Sequence, residues 1–267
     1  MKPEHIDRLE ALVDKKNWRL FDRIYTRTNT VLEALQKLCA SMKSEEVDLV
    51  LDILQDYLIL RDYSHHTADL IETISQQTEA DGIVFSPIKD FEANRPKSGE
   101  AVLYEIHTLK RTVSKRITIV DTPRNTDSHK TELYHVAVDD FIGSGNQFLT
   151  MVNTLKAEGI DPKIDAVAAL VVQETGRHKL EANGYKVFSC INRRKTIDDP
   201  AGVFGSDIPR AYRVYDELER RLSCAAKYRR GYAQTEASVS MKSTPNNTLP
   251  IFWYQGATKW PAPFPRP

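Results

Sequence analysis

The sequence lacks an excess of charge of either sign. Its 267 residues contain 37 Lys and Arg side chains and 37 Asp and Glu side chains, so the formal net charge is zero. This balance gives no electrostatic reason to expect nucleic acid or an anionic membrane as the main partner. Residues 1–75 hold 10 of the basic and 14 of the acidic side chains, so residues 76–267 hold the other 27 and 23. This second, mildly basic part of the chain would suit a polyphosphate ligand.

Cysteines and long apolar segments are also scarce. The three cysteines (Cys39, Cys190 and Cys224) are odd in number and widely spaced, which fits reduced core thiols better than a disulfide framework or a zinc site. No run approaches the roughly 18 apolar residues of a membrane span, and the first residues lack the apolar segment of a signal peptide. We therefore expect a cytoplasmic location and no membrane partner.

The first part of the chain, residues 1–75, is predicted to be helical. Apolar residues recur there at helical spacing, which predicts three to five helices. Asp48, Asp52 and Asp56 lie one turn apart and would form a carboxylate stripe. The solvent-facing side of an amphipathic helix explains this stripe better than a metal site does. His65 and His66 resemble a metal cluster only loosely, because neighbouring helical side chains point about 100° apart.

The middle part, residues 76–232, alternates between strand and helix patterns. Its strands contain mainly Val, Ile, Leu and Ala, which is typical of a sheet that is covered on both faces. We therefore predict an α/β fold with a mainly parallel sheet and helices on both faces, preceded by the α-helical N-terminal region. The predicted strands are 82–88, 116–120, 133–138, 165–172 and 186–191, and the predicted helices are 98–110, 145–158, 175–183 and 208–226.

The last part, residues 233–267, is a tail rich in proline and aromatic residues. Residues 238–241 could form a strand, and the prolines from 261 onward exclude a helix and favour a polyproline conformation. Trp253 and Trp260 have two interpretations. They could stack on a base or a partner, or they could pack against their own domain.

Residues 135–147 combine an apolar strand pattern with polar groups in a fixed order. Two acids, Asp139 and Asp140, follow the apolar run, and a turn with Gly143 and Gly145 leads into a helix pattern. Carboxylates at the end of a parallel strand can bind a sugar, while the amides of a glycine-rich turn and a helix N-terminus attract phosphate. Turn chemistry in an ordinary doubly wound protein is the alternative interpretation.

This stretch resembles the phosphoribosyl diphosphate (PRPP) motif of the type I phosphoribosyltransferases. The resemblance implies that Asp139 and Asp140 accept hydrogen bonds from the two ribose hydroxyls and that the following loop holds the 5-phosphate. The loop consists of Gly143, Ser144, Gly145, Asn146 and Gln147. It further implies Mg²⁺ as a cofactor, with Mg²⁺ bound mostly by PRPP oxygens and by at most the two acids.

Two further segments fall where this family has functional loops. Residues 85–90 follow the first predicted sheet strand and look like the pyrophosphate loop of the orotate phosphoribosyltransferase branch, with Lys89 as the cation. Residues 121–132 take the place of the mobile catalytic loop, whose Arg124, His129 and Lys130 would neutralise departing pyrophosphate. Taken alone, a cation of this kind is more often a solvated surface residue than a ligand-binding one, and the position of Lys89 after a strand end is what favours binding.

The helical N-terminal region and the Pro-Asn-Asn-Thr-Leu-Pro segment at 245–250 resemble those of a second group of proteins, the phosphoribosyltransferase-like effectors of bacterial conflict systems. This resemblance implies anti-phage defence together with partner proteins. Gly143 and Asn146 stand where phosphoribosyltransferases often have Thr or Asp, and Asp90 stands where Gly is common. These departures favour binding at the motif over any particular reaction.

Two functional hypotheses therefore remain open. The first is an enzyme that binds PRPP or a nucleotide with Mg²⁺ and transfers or cleaves a phosphoribosyl group. The second is a non-catalytic module that senses the same ligand and acts through a partner. Under both we expect a protein partner or a second copy of the chain. Nucleic acid stays open as a partner. The basic cluster of Arg193, Arg194 and Lys195 could be a phosphate or RNA patch, but such a cluster at a strand end is usually an ordinary exposed surface.

Overall fold

A computed structural model describes residues 1–24, 29–91, 98–125, 132–256 and 260–266. Its contacts divide the chain into two compact units. The helical unit consists of residues 1–60 and 194–267, and the sheet unit consists of residues 61–193. The predicted domains, residues 1–75, 76–232 and 233–267, have boundaries that differ from those of these two units. The predicted domain division stays a prediction.

The α-helices of the described residues are α1 (Pro3–Lys15), α2 (Val31–Ala40), α3 (Ser44–Gln55), α4 (Ser64–Gln77), α5 (Ser98–Leu109), α6 (Asn146–Ala157), α7 (Glu174–Ala182) and α8 (Ile208–Arg220). The strands are β1 (Leu58–Ile59), β2 (Gly82–Pro87), β3 (Arg116–Ile119), β4 (Leu133–Ile142), β5 (Ala166–Gln173), β6 (Lys186–Arg193) and β7 (Val239–Ser240).

The sheet unit is built around five strands in the order β3-β2-β4-β5-β6, and every neighbouring pair is parallel. This arrangement confirms the predicted α/β class. All eight residues of β5 are buried, which explains why seven of them are Ala, Val or Leu. Because the strands are parallel, the carboxyl ends of β2, β4 and β5 lie at one edge of the sheet.

The structure corrects the end of two predicted elements. β4 does not stop at Val138 but continues through both acids to Ile142, because the backbone ladder with β5 pairs Asp139 with Ala169 and Ile142 with Val172. The predicted helix 208–226 ends at Arg220. Ser223 has a φ of 50°, a left-handed conformation that cannot continue a right-handed helix.

The helical unit has a core to which both ends of the chain contribute. The Tyr57 ring lies 5.0 Å from the Phe264 ring and 4.9 Å from the Phe252 ring, measured between centroids. Trp260 is buried and donates its indole N–H to the Ile251 carbonyl at 2.9 Å. The C-terminal aromatics are therefore core residues of their own unit, which favours the packing interpretation of this tail over stacking on a base.

Among the described residues, every helix is too short or too polar to cross a lipid bilayer.

Replacing Phe264 by Ala tests whether the tail belongs to the core. The ring is fully buried, so its loss should lower the free energy of unfolding by about 3–5 kcal/mol. Chemical denaturation measures this change. Leu20, which is 76% exposed in the same unit, provides the control, because Leu20→Ala should change stability little. Equal effects of both substitutions would contradict a structural role for the tail.

Candidate functional site

Asp139 and Asp140 lie buried near the carboxyl end of β4. Each is only 4% exposed. The Ser98 hydroxyl donates a hydrogen bond to Asp139 Oδ1 at 2.5 Å, and the backbone N–H of Asp140 donates to the same oxygen at 2.9 Å. The first acid is thus held by the first residue of α5 and by its own neighbour in the strand.

The second acid is held by a tyrosine that precedes α4. The Tyr63 hydroxyl donates to Asp140 Oδ2 at 2.6 Å, and Tyr63 is 1% exposed. α5 can begin this close to β4 because its second residue is Gly99. A Cβ on Gly99 would lie 2.7 Å from the Val138 carbonyl oxygen, a distance that no side chain tolerates. Two helix starts therefore bring one hydroxyl to each acid.

Burial sets the proton affinity of the pair. Removal from water raises the pKa of Asp139 well above its ordinary value, and the adjacent Asp140 carboxyl raises it further. Burial also raises the pKa of Asp140, which the hydrogen bond from Tyr63 partly opposes. The cause in both cases is that a buried carboxylate loses hydration that two hydroxyls only partly replace.

The predicted phosphate loop follows β4 directly. Gly145 has a φ of 74° and caps α6, so it uses the left-handed conformation that glycine permits. The Asn146 N–H donates to the Ser144 hydroxyl at 3.4 Å. The first amides of α6 lack carbonyl partners within the helix, and this end of the helix favours an anion.

The start of α7 packs against this loop. A Cβ on Gly176 would lie 2.5 Å from the Gly143 carbonyl oxygen, so only glycine permits the contact. From the same helix, Lys179 donates to Asn146 Oδ1 at 2.5 Å. The loop therefore has a cation beside it that the sequence analysis missed. Gln147, the last predicted loop residue, is exposed in the first turn of α6.

The buried carboxamide of Gln173 lies at the same edge of the sheet. Gln173 is the last residue of β5, directly after Val172, which pairs with Ile142. It is 1% exposed, and its side-chain N and O have no hydrogen-bond partner within the described residues. An unsatisfied buried amide costs about 1–3 kcal/mol, so water or a ligand bound at this edge would stabilise it.

Lys89, the predicted pyrophosphate cation, lies two residues after the end of β2 at Pro87. The N–H of the preceding residue, Ile88, donates to the Val138 carbonyl at 2.9 Å, which brings the chain after β2 next to Asp139. The Lys89 ammonium lies 3.3 Å from a Glu100 carboxylate oxygen, in the first turn of α5. A pyrophosphate group would have to compete with Glu100 for this cation.

Of the three predicted cations of the mobile loop, the described residues include Arg124 alone, and it bonds to a residue outside the acid site. Arg124 donates to Glu158 at 2.7 Å, and its guanidinium lies 4.4 Å from the Phe91 ring centroid. Glu158 follows α6 at the helix end away from the phosphate loop, about 18 Å along its axis. His129 and Lys130 lie outside the described residues.

Among the described residues, no group of three or more His, Cys, Asp or Glu could hold a metal ion. The aspartate stripe of α3 bonds instead to α1: His5 lies 3.2 Å from Asp48, and Arg8 bonds to Asp52. His65, with a largely exposed side chain, lies 3.8 Å from Asp69. Asp48 and Asp52 are thus partly exposed residues of α3 that form ion pairs with α1.

Four side chains at this edge were not among the predicted site residues: Tyr63, Ser98, Gln173 and Lys179. Ser98 carries a weak local signal, because serine often begins a helix. Tyr63 precedes Asp140 by 77 residues, so no local pattern connects the two. Lys179 resembles any exposed helical lysine until α7 is placed against the loop.

Comparison with known proteins gives one sequence family and a set of distant structures. The profile of the PRTase-CE family matches residues 17–266. A search of curated protein sequences found no match.

Two of the similar structures are of Mycobacterium tuberculosis orotate phosphoribosyltransferase. The complex with PRPP is 14% identical, with a TM-score of 0.35, over 78% of this chain and 99% of that chain. The complex with inorganic phosphate is 16% identical, with a TM-score of 0.34, over 61% and 80%. A Giardia lamblia adenine phosphoribosyltransferase complexed with 9-deazaadenine is 12% identical, with a TM-score of 0.33, over 48% and 77%. Scores this low carry no information about substrate.

The double variant Asp139→Asn, Asp140→Asn tests the cost of burying the acids. Because the folded pKa values are raised, the folded chain keeps protons that the unfolded chain loses above its ordinary pKa of 3.8. The free energy of unfolding of the native protein should therefore fall as the pH rises above 3.8 toward the raised folded pKa values, and the variant, which cannot ionise at these positions, should not show this fall. Melting temperatures from pH 4 to pH 8 should show the variant gaining relative to the native protein.

Asp81→Asn is the control for this experiment, because Asp81 is exposed just before β2, at the opposite edge of the sheet. Its stability difference from the native protein should stay constant over the same pH range. A constant difference for the double variant as well would contradict the raised pKa values.

Gly176→Ala tests the contact between α7 and the phosphate loop. The new methyl group would overlap the Gly143 carbonyl oxygen, so the free energy of unfolding should fall by about 1–3 kcal/mol. Thr175→Ala, one residue earlier in the helix, is the control and should be nearly neutral. Urea denaturation of both variants measures the difference, and equal stabilities would show that the contact has no energetic role.

Proposed function

The chain belongs to the PRTase-CE family, and from this premise we propose that the sheet unit binds PRPP or a nucleotide and transfers or cleaves its phosphoribosyl group. Membership confirms the phosphoribosyltransferase resemblance at the family level. The observation that carries the proposal is the adjacent acid pair, buried at the carboxyl edge of a parallel sheet and followed at once by a phosphate loop.

Binding would use the two halves of this stretch for two parts of the ligand. Asp139 and Asp140 would accept hydrogen bonds from the ribose hydroxyls, which are strong and directional because the acceptor is charged. The 5-phosphate would lie on the amides that begin α6 and on the Ser144 hydroxyl. Lys179 would add positive charge, because its ammonium already lies at Asn146.

Catalysis would consist of positioning the ribose and stabilising the leaving group. The bond from the anomeric carbon to pyrophosphate breaks, and the pyrophosphate keeps the electron pair. A base nitrogen or a water oxygen bonds to the carbon in its place and releases its proton to the pyrophosphate or to solvent. Lys89 would stabilise the charge that develops on the leaving oxygens. Arg124, His129 and Lys130 stay predictions for this role.

Mg²⁺ is part of the proposal. Asp139, Asp140 and the phosphate oxygens of the ligand form the hard oxygen donor set that this ion prefers. When bound, it would neutralise pyrophosphate charge.

A non-catalytic sensor of the same ligand is the second candidate. The observation that favours it is that both acids are buried and already engaged by hydroxyls of the protein. Ligand binding would then require a rearrangement, and a rearrangement can be transmitted to a partner. Neither candidate needs a nucleophilic side chain.

We further propose a setting for this function. The chain would act in the cytoplasm, because its three cysteines are free thiols and thiols stay reduced there. It would act as an effector of bacterial anti-phage defence together with a partner protein. The genes that flank its own would test this part directly.

A variant of the acid pair tests whether the ligand binds at this site, and a product analysis distinguishes the enzyme from the sensor. Calorimetry with PRPP and Mg²⁺ should show binding by the native protein and a loss of at least about 100-fold in affinity for Asp139→Asn, Asp140→Asn, since two charge-assisted hydrogen bonds disappear. If the protein is an enzyme, mass spectrometry of a nucleotide mixture incubated with PRPP and the native protein should detect pyrophosphate or phosphoribosyl products.

Asp81→Asn is again the control and should bind like the native protein. Binding without products over hours would support the sensor. Equal binding by the native protein and the double variant would overturn the site assignment.

A further inference from the structure

We propose that Tyr63 and Ser98 form a gate that occupies the acid pair in place of the ribose hydroxyls, so that a sugar binds by exchanging its hydroxyls for theirs. The inference rests on the proposed function, because it concerns access to the same acids. It assigns to Tyr63 and Ser98 a control of ligand entry, and it names a vicinal diol as the feature of the ligand that opens the gate.

The chemistry of the present contacts matches that of the expected ligand. Each acid accepts one hydroxyl, Asp139 from Ser98 at 2.5 Å and Asp140 from Tyr63 at 2.6 Å. These distances are typical of a hydroxyl bonded to a carboxylate. A ribose ring also offers two hydroxyls on neighbouring carbons, so the protein satisfies the acids with the same number and kind of donors.

Burial makes the two arrangements exclusive. Both acids are 4% exposed and Tyr63 is 1% exposed, so a sugar cannot reach Asp140 while the tyrosine ring stays in place. Tyr63 must therefore move before or during binding.

The start of α4 also forms hydrogen bonds that are separate from the gate. The Thr67 N–H donates to the Tyr63 carbonyl at 2.8 Å, and the exposed Ser64 hydroxyl donates to Glu105 at 2.7 Å. These bonds do not involve the Tyr63 hydroxyl. The helix start can thus keep its backbone structure while the phenol leaves the acid.

The exchange has a predictable effect on affinity. A ligand that displaces Tyr63 must break one charge-assisted hydrogen bond, which lowers its apparent affinity. Without the phenol oxygen this cost disappears, and binding of a ribose ligand should become about 10-fold tighter. Inorganic phosphate needs only the loop, so its binding should not change.

Tyr63→Phe tests the gate because it removes only the hydroxyl. Calorimetry should show about 10-fold tighter binding of ribose 5-phosphate and of PRPP with Mg²⁺, and unchanged binding of inorganic phosphate. The gain should be smaller for 2-deoxyribose 5-phosphate, which lacks one hydroxyl of the diol. Ser98→Ala should likewise tighten the binding of ribose 5-phosphate.

Tyr134→Phe is the matched control. Tyr134 is a half-buried tyrosine of β4, five residues before Asp139, and its loss of a hydroxyl should leave all affinities unchanged. A melting curve confirms that each variant is folded.

The outcomes separate the gate from the proposed function. Unchanged or weaker ribose 5-phosphate binding by folded Tyr63→Phe would overturn the gate, as would a gain that extends equally to inorganic phosphate. Binding that survives Asp139→Asn, Asp140→Asn would overturn the proposed function, whatever Tyr63→Phe does. If only Tyr63→Phe binds the sugar measurably, the gate is supported in its strongest form.

Discussion

Two adjacent carboxyl groups are buried in a protein interior, and this constraint organises the sheet unit. Asp139 and Asp140 are part of the β4 ladder, so the backbone that carries them is held by β5, whereas the pairing with β2 ends one residue earlier, at Val138. Burial without partners would be costly for either carboxyl group. The starts of α4 and α5 supply the partners, and Gly99 lets α5 come close enough to do so.

The phosphate loop is stabilised from the other side by α7. Gly176 allows van der Waals contact with Gly143, and Lys179 reaches Asn146. The acids and the loop are thus consecutive in sequence but are supported by different helices. If the proposed ligand binds here, its sugar and its phosphate would contact parts of the site that different helices support, as a gate confined to Tyr63 and Ser98 requires.

The acid pair places function and stability in opposition. A buried carboxyl with a raised pKa destabilises the folded chain when it is ionised, whereas the proposed sugar ligand would be bound most strongly by the ionised form. Hydroxyls from the protein reduce this cost in the free state. A bound ligand would take over their role and add its own binding free energy to stability. The gate is therefore also a means of keeping the free protein folded.

Much of this structure follows from local sequence patterns. The five sheet strands, the helices between them and the acid pair before Gly143 and Gly145 are predictable, because burial on two faces and turn formation each leave a signal within about ten residues. The extension of β4 through its acids is not predictable in this way, since ladder bonds depend on the neighbouring strand. Nor does the sequence alone show that Phe264 packs beside Tyr57 or that Tyr63 reaches Asp140. Those contacts join residues far apart in the chain, and only the tertiary structure, by placing helix starts and chain ends, decides which side chains meet.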